Sequence, residues 1–167
     1  MANTNEVQIT VEIRELPPTP IAYVRNIGPY AGDPALFGRL FGKLFAWAGP
    51  RGLLLPEAKT VTIYHDNPDV TPPEKQRISV GISVPAGTPV EGEIGAMDIP
   101  AGKYAVATCA IRSEQFGAAW EALMGGWFPS SGWQPDDRPC FECYLNDPEK
   151  DPEGLHRLEL WEPVRPL

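Results

Sequence analysis

A chain of 167 residues, 43% of them hydrophobic, is long enough to bury one core and falls within the usual length of one domain. Its net charge of −8 argues against direct binding of nucleic acid, which needs clustered Lys and Arg to displace counterions from phosphates. The start, Met1 to Gln8, lacks the basic stretch and apolar run of a signal peptide, and no segment approaches the roughly 20 apolar residues of a membrane span, so one cytoplasmic domain over residues 1–167 is expected.

The 20 prolines and 16 glycines are spread between apolar runs and read as punctuation between short elements. Two strands rich in β-branched residues come first, Val7 to Glu15 and Ile21 to Asn26. A helix follows, with Asp33-Pro34 as cap and first-turn proline, Phe37, Leu40, Phe41, Leu44 and Phe45 at helical spacing, and Gly49-Pro50 as its stop. Two more strands, Thr60 to His65 and Gln76 to Val84, are then expected. The same series returns as strands Gly92 to Ile99 and Lys103 to Ile111. Next comes a helix from Ser113 that carries Phe116, Ala119, Trp120 and Leu123 and is ended by Gly125-Gly126. Strands Cys140 to Leu145 and His156 to Trp161 complete it. The aromatic residues of both helices read as the core face of amphipathic helices.

The recurrence is also one of sequence. Tyr64-His-Asp-Asn-Pro68-Asp69 matches Tyr144-Leu-Asn-Asp-Pro148-Glu149 at an offset of 80, and Arg77-Ile78 matches Arg157-Leu158 at the same offset. Phe37-Gly38, Leu40, Phe41 and Leu44 match Phe116-Gly117, Ala119, Trp120 and Leu123 at 79, and Tyr23 matches Tyr104 at 81. These matches imply an internal duplication with repeats of about 5–86 and 91–167, each ββαββ. Only the helix connections are long enough for parallel crossovers. The expected fold is therefore α+β, a mainly antiparallel eight-stranded sheet with both helices on one face and a ligand groove between them.

Function added to a duplicated scaffold should show where equivalent positions differ in chemistry. Glu142 stands opposite Thr62 in the repeat alignment, on one strand face with Cys140 and Tyr144. It is either a solvated charge on a wet face or a partly buried anion, serving as counter-ion for a cation or as general base for water. Tyr30 ends the second strand, Tyr64 and Tyr144 sit at the matched turn entries, and Trp133 lies in a polar loop, either tucked onto the core or available as a lid. Aromatic walls around one carboxylate suit an organic cation. Cys140 and Cys143 point to opposite faces and read as reduced thiols, and His65 and His156 as solvated or capping residues. No metal and no cofactor are expected.

Three segments, Tyr64-His-Asp-Asn-Pro68, Ile99-Pro-Ala-Gly-Lys-Tyr104-Ala-Val and Pro139-Cys-Phe-Glu142-Cys-Tyr144-Leu-Asn146, resemble the GyrI-like family over nearly the whole chain. The likeness is to its stand-alone SbmC type, known as DNA gyrase inhibitors. That resemblance implies a duplicated strand-helix-strand fold shared with the effector-binding domains of AraC-type and MerR-type multidrug regulators, where a glutamate in an aromatic pocket meets lipophilic cations. Glu142 matches that glutamate, and Tyr30, Tyr64 and Tyr104 match aromatic positions. The chain has no room for a helix-turn-helix domain, so the resemblance implies a detached sensor or a protective protein. It binds an amphipathic small molecule, and DNA gyrase is a possible partner. Some members also resemble hydrolases that open the cyclopropane of DNA-alkylating compounds, which would make Glu142 catalytic, with a tyrosine steadying the phenolate.

Overall fold

The computed structural model describes residues 7–167. Asn5 and Glu6, the first two residues of the first repeat, and most of the segment read against a signal peptide lie outside the described residues. In chain order the strands are β1 (Thr10–Leu16), β2 (Thr19–Ile27), β3 (Thr60–Tyr64), β4 (Arg77–Ser83), β5 (Gly95–Ile99), β6 (Gly102–Ile111), β7 (Trp133–Pro135), β8 (Cys140–Tyr144) and β9 (His156–Pro166). The helices are α1 (Pro34–Ala48) and α2 (Phe116–Glu121). The fold is α+β and antiparallel, as the repeat of ββαββ implies. The short strand β7, in a stretch expected as polar loop, is an addition to the expected eight.

The chain forms two compact units. One, Pro17–Ala101, is contiguous, with strand order β3-β4-β2-β5 and α1 packed on Ala22, Val24, Ile78, Val80 and Ile82. The other combines the chain up to Leu16 with Gly102–Leu167, in the order β1-β6-β9-β8, with β7 paired to the end of β9. Its helical face packs on Ala105, Ala107, Cys109, Leu158 and Leu160.

These units cut across the sequence repeats, because β1 pairs with β6 and β5 pairs with β2. The cause lies in the links. Pro17-Pro18 joins β1 to β2, and Pro100-Ala101 joins β5 to β6. A two-residue hairpin needs positive φ in its turn, which proline's fixed φ of about −65° forbids. The chain therefore runs on instead of folding back.

The duplication is visible in the strand registers. Thr62 and Tyr64 oppose Val80 and Ile78, while Glu142 and Tyr144 oppose Leu160 and Leu158, an offset of 80 in both strands. On the other side, Tyr23 opposes Gly81 and Val106 opposes Trp161, so Val106 takes the place of Tyr23. The Tyr23–Tyr104 match is thus out by two residues, a slip that keeps every side chain on its own face.

Helix α1 starts where Asp33 Oδ1 accepts the Leu36 N–H at 3.1 Å, with Pro34 in the first turn. Its core stripe is Leu36, Leu40, Leu44, Trp47 and Ala48. The expected stripe was thus centred about one residue too far along, leaving Phe37 and Phe41 half-buried and Phe45 37% exposed. The second helix does not stop at Gly125-Gly126 but continues as a π-helical turn through Trp127. A Cβ at Gly125 would meet only the end of the exposed Glu121 side chain, which can move aside, so close packing does not require the glycine. His65 is half-buried rather than solvated, its Nε2 2.8 Å from Ser79 Oγ. Arg25 Nε donates to that same oxygen at 3.1 Å, and burial, with the positive charges of Arg25 and Arg77, holds the ring neutral with its pKa down at about 4.

Candidate functional site

Strand β8 reads Cys-Phe-Glu-Cys-Tyr, and alternation puts Cys140, Glu142 and Tyr144 on the face that meets α2. Across β9 that face continues through Leu158 and Leu160 to Cys109 and Ala107 of β6, all buried. Glu142 is 2% exposed, which excludes the solvated reading. Trp120 Nε1 donates to its Oε2 at 2.8 Å and the Tyr144 hydroxyl donates to its Oε1 at 2.8 Å. Hydrogen bonds to an ionised acceptor contribute about 1.5–3 kcal/mol each, so both donors favour the charged form of the carboxylate in an apolar setting.

That charge acts on its surroundings. Burial first, then Glu142, pushes the Cys109 thiol up to about 11. Burial, Glu162 and Glu142 in that order raise Cys140 further. Both thiols are therefore protonated at neutral pH, and among the described residues no cluster of three or more His, Cys, Asp or Glu could hold a metal.

Glu162, which the sequence reading missed, lies two residues beyond Leu160 and so on the same face. It is 9% exposed, and burial pushes its carboxyl up to about 7 against the pull of a hydrogen bond with the Cys140 thiol. Its folded pKa lies above its unfolded one, so the native state binds more protons between about pH 4.5 and 7 and loses stability as pH rises through that window. Thermal melts should show Glu162→Gln gaining on the wild type between pH 5 and pH 8, by on the order of 2–3 kcal/mol. A gap independent of pH would mean that Glu162 titrates normally.

Of the six residues singled out from sequence, Glu142 and Tyr144 are bonded to each other. Trp133 belongs to β7 and is half-buried against the same core, with the Lys103 ammonium 5.9 Å from its ring. Tyr30 and Tyr64 form an aromatic pair in the other unit, centroids 5.6 Å apart, with Phe37 edge-on to Tyr30 at 6.4 Å. Tyr104 is on the reverse face of its sheet from Glu142, fully buried, with Phe141 and Trp161 each at 5.6 Å and the Arg138 guanidinium 5.0 Å from its ring. Two clefts, of about 390 Å³ beside β2 and α1 and about 610 Å³ beside α2, do not have Glu142 in their walls.

Trp120 is the other residue missed, because helical spacing assigned it to the core. The signal was nevertheless present: where the first repeat has Phe41 and Thr62, the second has Trp120 and Glu142, a donor and an acceptor introduced together.

The model of the GyrI-like small molecule binding domain matches residues 9–165. A DNA gyrase inhibitor of Edwardsiella piscicida is 34% identical over 159 residues, 93% of this chain and 97% of that one. The crystal structure of the EcmrR C-terminal domain superposes with a TM-score of 0.76 at 21% identity, over 95% of this chain and 99% of that one. SAV2435 bound to tetraphenylphosphonium superposes at 0.64 with 11% identity, over 93% and 94%. Among the described residues no helix is long and apolar enough to cross a membrane.

Proposed function

Because this chain belongs to the GyrI-like small-molecule-binding domain family, we infer that it binds amphipathic organic cations, with Glu142 as their counter-ion. The observation that carries this reading is a carboxylate 2% exposed and held by two neutral donors, an indole N–H and a phenol O–H. A carboxylate held by an indole N–H and a phenol O–H in a dry setting attracts an apolar cation brought alongside. The aromatic rings of Trp120 and Tyr144 add cation–π contact. The neighbour bound to tetraphenylphosphonium, a lipophilic cation, supports the ligand class by likeness of fold. Relatives named DNA gyrase inhibitor support a role in modulating gyrase.

Tryptophan fluorescence titration with tetraphenylphosphonium and with neutral triphenylphosphine oxide tests the reading. The wild type should saturate with the cation and prefer it, and Glu142→Gln should weaken the cation about tenfold or more while sparing the neutral compound. Equal behaviour of both proteins toward both compounds would sink it. The Tyr144–Glu142 bond favours a second reading, hydrolysis of a strained cyclopropane with Glu142 as base. Glu142-dependent product from such a substrate would decide for it.

A further inference from the structure

We propose that Glu162 is a second acidic anchor of the Glu142 site, selecting aromatic dications whose positive centres are about 7–8 Å apart, the spacing of diagonal cross-strand neighbours. The inference rests on the counter-ion reading of Glu142 and adds the ligand class that the site prefers.

The placement follows from register. Glu142 opposes Leu160 on β9, and Glu162 stands two residues further along that strand, so the two acids are diagonal neighbours on one face. Cys140 feels the charge of both, and its thiol is hydrogen-bonded to Glu162. Across β6, Ala105 opposes Glu162 and Ala107 opposes Leu160, so the side chains flanking the acids are small.

The duplication supplies an independent argument. At the offset of 80 that relates β4 to β9, Glu162 replaces Ile82, an aliphatic side chain 2% exposed in the other unit. The scaffold therefore packs with a hydrophobe at this place, and an acid nine-tenths buried costs stability that packing does not require. Trp120, Glu142 and Glu162 are three departures in one repeat, an indole N–H and two acids at positions where the other has Phe41, Thr62 and Ile82.

Among the described residues no cation forms an ion pair with Glu162. Beside β7, Arg138 and Arg165 pair with Asp136, at 2.8 Å and 3.9 Å. On β8 the facing groups are Cys140 and Glu142. At neutral pH Glu162 is divided between acid and carboxylate, so a second positive centre brought beside it would ionise it and release its proton.

The test compares benzyl viologen, a dication, with the monocation para-phenyl-N-benzylpyridinium of similar shape, by calorimetry at pH 7 in two buffers of different ionisation enthalpy. The wild type should favour the dication and release about half a proton on binding it, with much less released by the monocation. Glu162→Gln should lower the preference for the dication about tenfold and abolish the difference in proton release. A wild type that binds the monocation through Glu142 but shows neither the preference nor the proton overturns this inference alone. Monocation binding unchanged in Glu142→Gln overturns the counter-ion reading and this inference with it. The proton count is taken on the wild-type protein, so it stands even if a variant folds poorly.

Discussion

Trp120→Ala should destabilise the protein by about 3 kcal/mol or more, measured as a fall in the urea midpoint at constant slope. Two losses add. The half-buried indole leaves a space beside Ala119 and Leu123, and the Glu142 carboxylate loses the N–H that holds its Oε2 at 2.8 Å. Trp120→Phe separates them, since it keeps most of the ring and removes only the donor, and should cost about 1–3 kcal/mol. Combining it with Glu142→Gln should then cost less than the sum of the two single changes, because the charge that needed the donor is gone. Strict additivity would show that the bond contributes nothing in solution.

Leu44→Ala should cost about 2–5 kcal/mol in the same measurement. Leu44 is fully buried in the centre of the α1 stripe that packs on Val24, Ile78 and Val80. Its neighbour Phe45 is larger but 37% exposed, stacked on Phe41 with centroids 5.8 Å apart. If burial rather than size sets the cost, Phe45→Ala loses less than Leu44→Ala. The reverse order would return the helix to the face its aromatic residues suggested.

That face illustrates what the sequence could and could not carry. Strands β2, β3, β4 and β8 were legible because β-branched and alternating residues were bounded by proline and glycine. The phase of α1 was not, because Phe and Leu both recur at helical spacing and hydrophobicity alone cannot say which stripe the sheet receives. Strand β7 escaped notice because it is three residues long and ends in proline. Glu142 stood out as an acid between apolar neighbours on an alternating strand, and Tyr144 came with it by parity. Tyr104 came in through the family resemblance, and its place on the reverse face from Glu142 depends on two cross-strand registers, through β9. Neither is written in the local sequence.

The exchange of first strands between the repeats also sets an order of events on the ribosome. Pro17–Ala101 is continuous, so all of its strands have emerged once β5 is clear of the exit, and it can close while the rest is still being made. Strand β1, the first to appear, finds its partner only when β6 follows, with Thr10 laid against Thr108. Strand β1 thus waits through the synthesis of the whole contiguous unit, and the unit that carries Glu142 closes after it.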